Sequence, residues 1–158
     1  MSIPLSETSR DAAGIALRQR WMRALALAPI DRLEAAWVAL PEPPTWSHLR
    51  RPEIGMTMVR GRAGGVGQRF NLGEMTVTRC TVRLSDGTVG VGHVAGRDRR
   101  HAELAALFDA LLQDPATQAG LIARVIAPIE AAIEAGRQDT REKAAATKVQ
   151  FFTMVRGE

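Results

Sequence analysis

The spacing of apolar side chains near the start of the chain predicts two helices, because apolar residues recur there at intervals of three and four. The first predicted helix spans residues 10–27. Its apolar face consists of Leu17, Trp21, Ala24 and Ala28. Asp31 and Glu34 have the spacing of a capping box and predict the start of a second helix. The proline-rich stretch at residues 41–44 ends this helix, so residues 1–40 are predicted to form an N-terminal helical arm.

The pattern changes after this stretch to an alternation of apolar and polar residues, which is typical of β-strands. The predicted strands are Trp46–Leu49, Met56–Arg62, Met75–Leu84, Thr88–Val94 and a returning strand, Val149–Val155. Ser85, Asp86 and Gly87 form a tight-turn signal, so the two strands beside them are predicted to pair as an antiparallel hairpin. The connections are too short for helical crossovers, which favours an antiparallel meander.

The second half of the chain returns to helical spacing. Asp98 is predicted to cap a helix that runs through about Leu112, and a further helix is predicted over residues 117–135. Pro128 predicts a kink or break in that helix, because proline has no backbone N–H to donate. Residues 140–146 are predicted to add one or two helical turns. The order of elements predicts an α+β fold, with an antiparallel meander sheet and helices packed on it.

Length and composition fit one domain over residues 1–158, with an α+β core at residues 45–158. Apolar residues make up 46% of the chain and charged residues 24%, as in ordinary globular proteins. No apolar run approaches the roughly 20 residues that a membrane-spanning helix requires. Residues 1–7 have neither the basic start nor the apolar stretch of a signal peptide. We therefore expect a cytoplasmic protein without a membrane partner.

The cysteine, histidine and aromatic content excludes several kinds of site. A lone Cys80 rules out an internal disulfide and a cysteine-based zinc cluster, and a buried core position is expected for it. The spacing of His48, His93 and His101 does not match that of metal ligands, so no metal site is assigned. Aromatic residues make up only 4% of the chain, and no DNA- or RNA-binding motif is present. Nucleic acid is therefore not the expected partner.

Positive charge is concentrated in the middle of the chain and is carried almost entirely by arginine. The net charge is +4, and between Arg50 and His101 ten arginines stand against four acidic residues. The planar guanidinium group suits phosphate and carboxylate, so this distribution favours an anionic ligand or partner. The alternative is the codon usage of a GC-rich genome, which would also explain the many Ala and Gly residues. Composition leaves both interpretations open.

A glycine-rich stretch provides the first candidate anion site. Gly64, Gly65 and Gly67 can expose backbone N–H groups to an anion, and they are flanked by Arg62 and Arg69. The stretch lacks the Gly-Lys-Ser/Thr of a P-loop. A predicted strand follows it instead of a helix, which excludes a dinucleotide-binding fingerprint. The alternative interpretation is a bulged hairpin connection that binds nothing.

The second candidate anion site is a basic cluster at the predicted start of a helix. It consists of Arg97, Arg99, Arg100 and His101. The helix dipole disfavours positive side chains in a first turn, and a bound anion or an acidic partner surface would relieve this. The alternative is a solvated helix end in which Arg99 pairs with Glu103.

Apolar side chains near both ends of the chain are candidates for partner docking. They are Trp21 and Met22 in the first helix, and Phe151, Phe152 and Met154 in the last predicted strand. Aromatic and methionine side chains are enriched at the centres of protein interfaces. An apolar terminal strand is also prone to association when it is left uncovered. The alternative for the tryptophans is ordinary core packing.

Several short stretches are informative when they are taken in their order along the chain. They are Arg20-Trp21-Met22, Arg51-Pro52-Glu53-Ile54-Gly55, Gly61–Phe70, Thr78-Arg79, Val82–Gly87, Gly96–Glu103 and Phe151–Glu158. Together they resemble PhnG, a small core subunit of the bacterial carbon–phosphorus lyase system. The resemblance covers most of the chain from about Arg18 onward.

The resemblance implies a role within an assembly. It implies PhnH-, PhnI- and PhnJ-like partners, associated PhnK- and PhnL-like ATPases, and a first step in which a phosphonate displaces adenine from the ribose of MgATP. The product is a ribose 1-phosphonate 5-triphosphate, and a separate radical iron–sulfur subunit later breaks the carbon–phosphorus bond. This chain is expected to be an accessory subunit that binds no cofactor itself. MgATP is expected to be a substrate of the complex.

Alternatives from other functional classes stay open at the level of the residues. No catalytic residue is assigned, because no nucleophile can be paired with a general base in the sequence. The chain could still be a free-standing anion- or nucleic-acid-binding module. It could also be a small enzyme that uses Arg97 and His101.

Overall fold

The computed structural model describes residues 5–147 of the chain, and side chains from residue 12 onward with the exception of position 65. The helices are α1 (Leu5–Leu27), α2 (Ile30–Val38), α3 (Arg99–Leu111), α4 (Pro115–Leu121) and α5 (Ala127–Ala146). The strands are β1 (Trp46–Arg62), β2 (Arg69–Leu84) and β3 (Val89–Ala95). A short 3₁₀ turn, Ala63–Gly65, joins β1 to β2, and a π-helical segment, Ile122–Ile126, joins α4 to α5. The predicted α+β class is confirmed.

The strands form an antiparallel meander in the order β1-β2-β3, as predicted. The turn between β2 and β3 forms where Ser85, Asp86 and Gly87 predicted it. Gly87 adopts a φ of 92°, and the Thr88 backbone N–H donates to an Asp86 carboxylate oxygen at 2.8 Å. Glycine tolerates this left-handed conformation because it has no Cβ. Local turn chemistry therefore determines this half of the sheet.

The first strand differs from the prediction. Two separate strands were expected at residues 46–49 and 56–62, but β1 is continuous over 17 residues. Pro52 lies inside it, which an edge strand tolerates because proline's missing N–H interrupts no ladder on its outer side. Register shifts between His48 and Arg50, and between Arg50 and Glu53, absorb the irregularity. The position of β1 at the edge of the sheet thus allows a strand through a proline.

One face of the sheet packs against α3, and this seam forms the centre of the core. Cys80, Val82 and Val94 are buried on the strands. Gly90 and Gly92 let the helix approach β3 closely: a Cβ on Gly90 would overlap the Ala106 carbonyl oxygen, and one on Gly92 would overlap that of Ala102. Backbones can come this near only where the strand carries no side chain.

The two N-terminal helices form as predicted, and their described parts pack on α3. Trp37 meets Phe108 edge to face, with ring centroids 6.0 Å apart. The predicted capping box at Asp31 is wrong, because α2 begins at Ile30 and its N-cap is Pro29, without a side-chain cap. Asp31 lies within the first turn, where its negative charge suits the helix dipole.

The helices of the second half agree largely with the sequence. Asp98 caps α3 as predicted, since its carboxylate accepts a hydrogen bond of 2.9 Å from the His101 backbone N–H. The predicted irregularity at Pro128 takes the form of the π-helical segment directly before it, and α5 then continues to Ala146. The predicted strand at residues 149–155 lies outside the described residues. Within the described residues, no helix is both long and apolar enough to cross a membrane.

Candidate functional site

The basic cluster lies at the start of α3, where the sequence placed it. Arg97 and Arg99 are exposed on either side of the capping residue Asp98. Arg100 instead contacts two carboxylates: it hydrogen-bonds to Glu103, and its Nε lies 3.9 Å from a carboxylate oxygen of Glu34. The cluster is therefore partly neutralised by the chain itself.

His101 and Glu103 connect this turn to its neighbours. The His101 Nε2 donates to the Leu25 backbone carbonyl at 2.8 Å, which ties the end of α1 to α3. Glu103 also contacts the His48 Nε2 at 2.9 Å, which ties α3 to β1. The alternative pair of Arg99 with Glu103 is not formed among the described residues, because Arg100 and His48 take that carboxylate. His101 therefore has a structural role. Arg97 and Arg99 are the arginines of the cluster that form no ion pair among the described residues.

The glycine-rich stretch forms the tip of the hairpin between β1 and β2. Gly64 adopts a φ of 60°, and the Gly67 backbone N–H bonds the Ala63 carbonyl at 3.1 Å. Arg62 and Arg69 face each other as the last paired residues before the tip. This is a tight hairpin connection flanked by two guanidinium groups.

The two basic clusters do not form one site. Ala95, at the end of β3, is paired with Val77 of β2, and Arg69 lies eight residues further along β2. At roughly 3.3 Å per residue, the hairpin tip is about 26 Å from the level at which the chain turns into α3. Arg62 and Arg69 therefore cannot share a small ligand with Arg97 and Arg99.

The predicted docking residues of the first helix have different positions. Trp21 is only 3% exposed and belongs to the core, so the core-packing alternative holds for it. Met22 is half-buried and lines a cleft of about 220 Å³ beside Val91 and His93 of β3. Docking through Met22 stays a prediction. Phe151, Phe152 and Met154 lie outside the described residues.

Cys80 has the environment of a core residue. It is fully buried on β2, and its thiol donates to the Arg50 carbonyl at 3.5 Å. Burial, reinforced by the negative charge of Glu103, raises the pKa of the Cys80 thiol to about 11. The thiol is therefore protonated at neutral pH and is a poor nucleophile. Across the part of the chain that the structure describes, no three His, Cys, Asp or Glu side chains are grouped to hold a metal ion.

The hairpin of β1 and β2 reaches well beyond the helices, and it exposes apolar side chains that the sequence reasoning did not single out. Met56 is 64% exposed, Leu72 is 65% exposed, and Met58 and Phe70 are about half exposed. Met56 and Met58 lie in a segment that alternation had identified as a strand. Phe70 and Leu72 lie outside the predicted strands, because β2 begins at Arg69 and not at Met75 as predicted. The missing information was the length of β1 and β2, which continue well past the level at which β3 ends.

Comparison with known proteins gives this arrangement a context. The family described as phosphonate metabolism protein PhnG matches residues 16–157. The chain belongs to the PhnG family. It is also 49% identical over 148 residues to the alpha-D-ribose 1-methylphosphonate 5-triphosphate synthase subunit PhnG of Rhizobium meliloti (strain 1021), and the match covers 94% of each chain.

Three of the stretches that resemble PhnG lie in distinct parts of the fold. Arg20-Trp21-Met22 lies where α1 packs on the core, and Gly96–Glu103 contains the capped start of α3. Gly61–Phe70 forms the tip of the long hairpin. The first of these stretches is largely structural, since Trp21 is buried. The hairpin tip and the start of α3 each present exposed arginines that form no ion pair among the described residues.

Proposed function

We propose that this chain is an accessory subunit of an alpha-D-ribose 1-methylphosphonate 5-triphosphate synthase that acts in the breakdown of organic phosphonates. The observation that carries the proposal is the 49% identity to a subunit of that synthase, which extends over 94% of both chains. Two chains with this identity over nearly their whole length have the same architecture.

The chemistry of the described residues supports an accessory role. The Cys80 thiol is buried and has a raised pKa, His101 bonds a backbone carbonyl and His48 bonds Glu103. Covalent or acid–base catalysis needs a nucleophile and a base within hydrogen-bonding reach of each other and of substrate. These candidate groups are instead used to join β1, α1 and α3.

The proposal includes the environment of the subunit. Its companions are PhnH-, PhnI- and PhnJ-like subunits, with PhnK- and PhnL-like ATPases associated in the same system. MgATP is a substrate of the assembly in the cytoplasm, and this chain contributes no cofactor of its own. Adenine is released when the phosphonate displaces it from the ribose.

Reconstitution tests the proposal. The purified chain alone should release no adenine from MgATP and methylphosphonate, whereas the chain co-expressed with PhnH- and PhnI-like subunits and a PhnL-like ATPase should. Omitting this chain from the co-expressed set should abolish adenine release. Robust release by the isolated chain, retained after repurification, would overturn the accessory role. Unchanged activity of the set without this chain would exclude it from the synthase.

A further inference from the structure

The hairpin of β1 and β2 forms a projecting ribbon, residues 54–78. Only its base, at Val77 and Thr78, is paired with β3, and the rest extends beyond the end of β3. Ala95 of β3 is the last partner of β2 on its outer side, so from Thr76 outward the sheet has two strands. Two-stranded ribbons are marginally stable alone in water and need a packed face. Among the described elements, the helices pack on the three-stranded part of the sheet.

Both faces of the projecting ribbon carry apolar side chains. Strand alternation places Ile54, Met56 and Met58 on the face that continues the helix-covered side of the sheet, because Ile54 is paired with the buried Thr78. The opposite face carries Phe70 and Leu72, whose side chains lie where a Cβ on Gly61 would point. Leu72 occupies this position because it is the extra residue at the register shift beside Val59 and Arg60.

Single exposed apolar residues are common, but this set is contiguous and two-sided. Its exposed members are Ile54, Met56, Met58, Val66, Phe70, Leu72 and Met75. A flat partner surface would cover one face and leave the other in water. Burial of both faces requires a cleft that closes around the ribbon.

The charge of the ribbon indicates the chemistry of its partner. Residues 54–78 contain Arg60, Arg62 and Arg69 near the tip against a single acid, Glu74. Among the described residues, none of these three arginines lies within 4.0 Å of an acidic oxygen. A second copy of the chain is disfavoured as the partner, because a symmetric contact through the same patch would bring two arginine-bearing tips together.

We propose that the projecting ribbon inserts into a cleft of a companion subunit, that the walls of this cleft are apolar on both sides, and that its inner end carries acidic side chains for Arg60, Arg62 and Arg69. The proposal rests on the proposed function, which supplies the companion subunits. The exposed methionines and Leu72 anchor the contact. The arginines orient the ribbon in the cleft and increase the rate at which the two subunits associate.

Capture of the co-expressed PhnH- and PhnI-like subunits by the tagged chain tests this proposal. Met56→Asp on one face and Leu72→Asp on the other should each weaken capture by about 10-fold or more, as expected for central interface residues. The triple variant Arg60→Glu, Arg62→Glu, Arg69→Glu should also weaken it. Val38→Asp is the matched control, since Val38 is 82% exposed on α2, outside the ribbon, and capture should be unchanged.

Thermal unfolding of each isolated variant separates docking from folding. The melting temperatures of the ribbon variants should stay within a few degrees of that of the parent, because the ribbon lies outside the helix-covered core. Unchanged capture by both face variants would overturn the insertion proposal while leaving the proposed function intact. Loss of capture in only one of them would overturn the two-sided cleft.

Two further results would also be decisive. A parent chain that forms a dimer in solution, dissociated by Leu72→Asp, would make a second copy the occupant and overturn the proposal. Failure of the parent chain to capture any companion would overturn the proposed function first, and the insertion proposal with it.

Discussion

The indole Nε1 of Trp21 donates a hydrogen bond of 2.9 Å to a carboxylate oxygen of Asp109, which lies 88 positions later in the chain and is fully buried. Arg18 donates to the same carboxylate through Nε at 3.1 Å and through Nη2 at 2.8 Å. The Val91 backbone N–H adds a hydrogen bond of 2.9 Å. A carboxylate is tolerated inside a core only when it is satisfied in this way. Asp109 thus joins α1, β3 and α3 at one point.

Replacement of this carboxylate should be severely destabilising. Asp109→Ala leaves the Trp21 indole, the Val91 N–H and part of Arg18 without an acceptor, and breaking a buried ion pair typically costs about 3–5 kcal/mol. The free energy of unfolding from denaturant titration measures the effect. Asp139→Ala is the control, because Asp139 pairs with Lys143 on the exposed face of α5 and should cost less than about 1 kcal/mol. Similar losses in both variants would contradict the role given to Asp109.

The close contact of α3 with β3 should make a small substitution costly. In Gly90→Ala the added methyl group would overlap the Ala106 carbonyl, so the helix must move away, at a cost of about 1–3 kcal/mol or more. The matched control is Gly136→Ala in α5, where nothing lies within 4 Å of the new Cβ. That change should stabilise the protein by about 0.5–1 kcal/mol, because alanine favours helix. Melting temperatures should therefore shift in opposite directions, and parallel shifts would refute the close-contact argument.

The pair between Arg20 of α1 and Glu130 of α5 should contribute to acid sensitivity. Arg20 donates to the Glu130 carboxylate through Nε at 2.7 Å and through Nη2 at 2.6 Å, and these hydrogen bonds lower the pKa of Glu130. A lowered folded-state pKa gives stability that is present above the unfolded pKa of about 4.3 and is lost as the pH falls through the folded value. Glu130→Gln should therefore be less stable than the parent at pH 7, by up to about 1 kcal/mol. The difference should shrink below about pH 4, and a difference that is constant from pH 7 to pH 3 would exclude this linkage.

The exposed arginines at the start of α3 give a prediction about anions. If Arg97 bonds a phosphate group, Arg97→Ala removes a charge-assisted hydrogen bond of about 1.5–3 kcal/mol, which corresponds to roughly 10- to 150-fold in affinity. Calorimetric titration with inorganic triphosphate measures this. Arg137→Ala on α5 is the control and should have little effect. Equal small effects that follow ionic strength in both variants would indicate a diffuse positive surface only.

The elements that could be predicted from the sequence are those fixed by neighbouring residues. The Ser85-Asp86-Gly87 turn and the Asp98 cap need only a few adjacent atoms, and both form as expected. The same holds for the PhnG resemblance, which rests on short stretches in order. An element can be predicted from the sequence when the groups that stabilise it lie within a few positions of each other in the chain.

Other features depend on partners that are distant in the chain. The burial of Trp21 follows from the position of Asp109, and helical spacing alone could not separate core packing from docking. The segment around Pro52 was not predicted as strand, because the sequence does not show that β1 lies at the edge of the sheet. A signal for the close helix contact was present, however: Gly90 and Gly92 lie two apart in a strand, so they share one face and allow a backbone to approach it.

The carboxylate of Asp109 also has a consequence for synthesis of the protein. Arg18 is made 91 residues before the acceptor that it requires. At about 5–20 residues per second, the first helix waits roughly 5 to 18 s after it is made before its acceptor exists. During that interval the apolar face of α1 around Trp21 lacks the part of α3 against which it packs. Helix α1 therefore cannot complete its buried contacts until most of α3 has been synthesised.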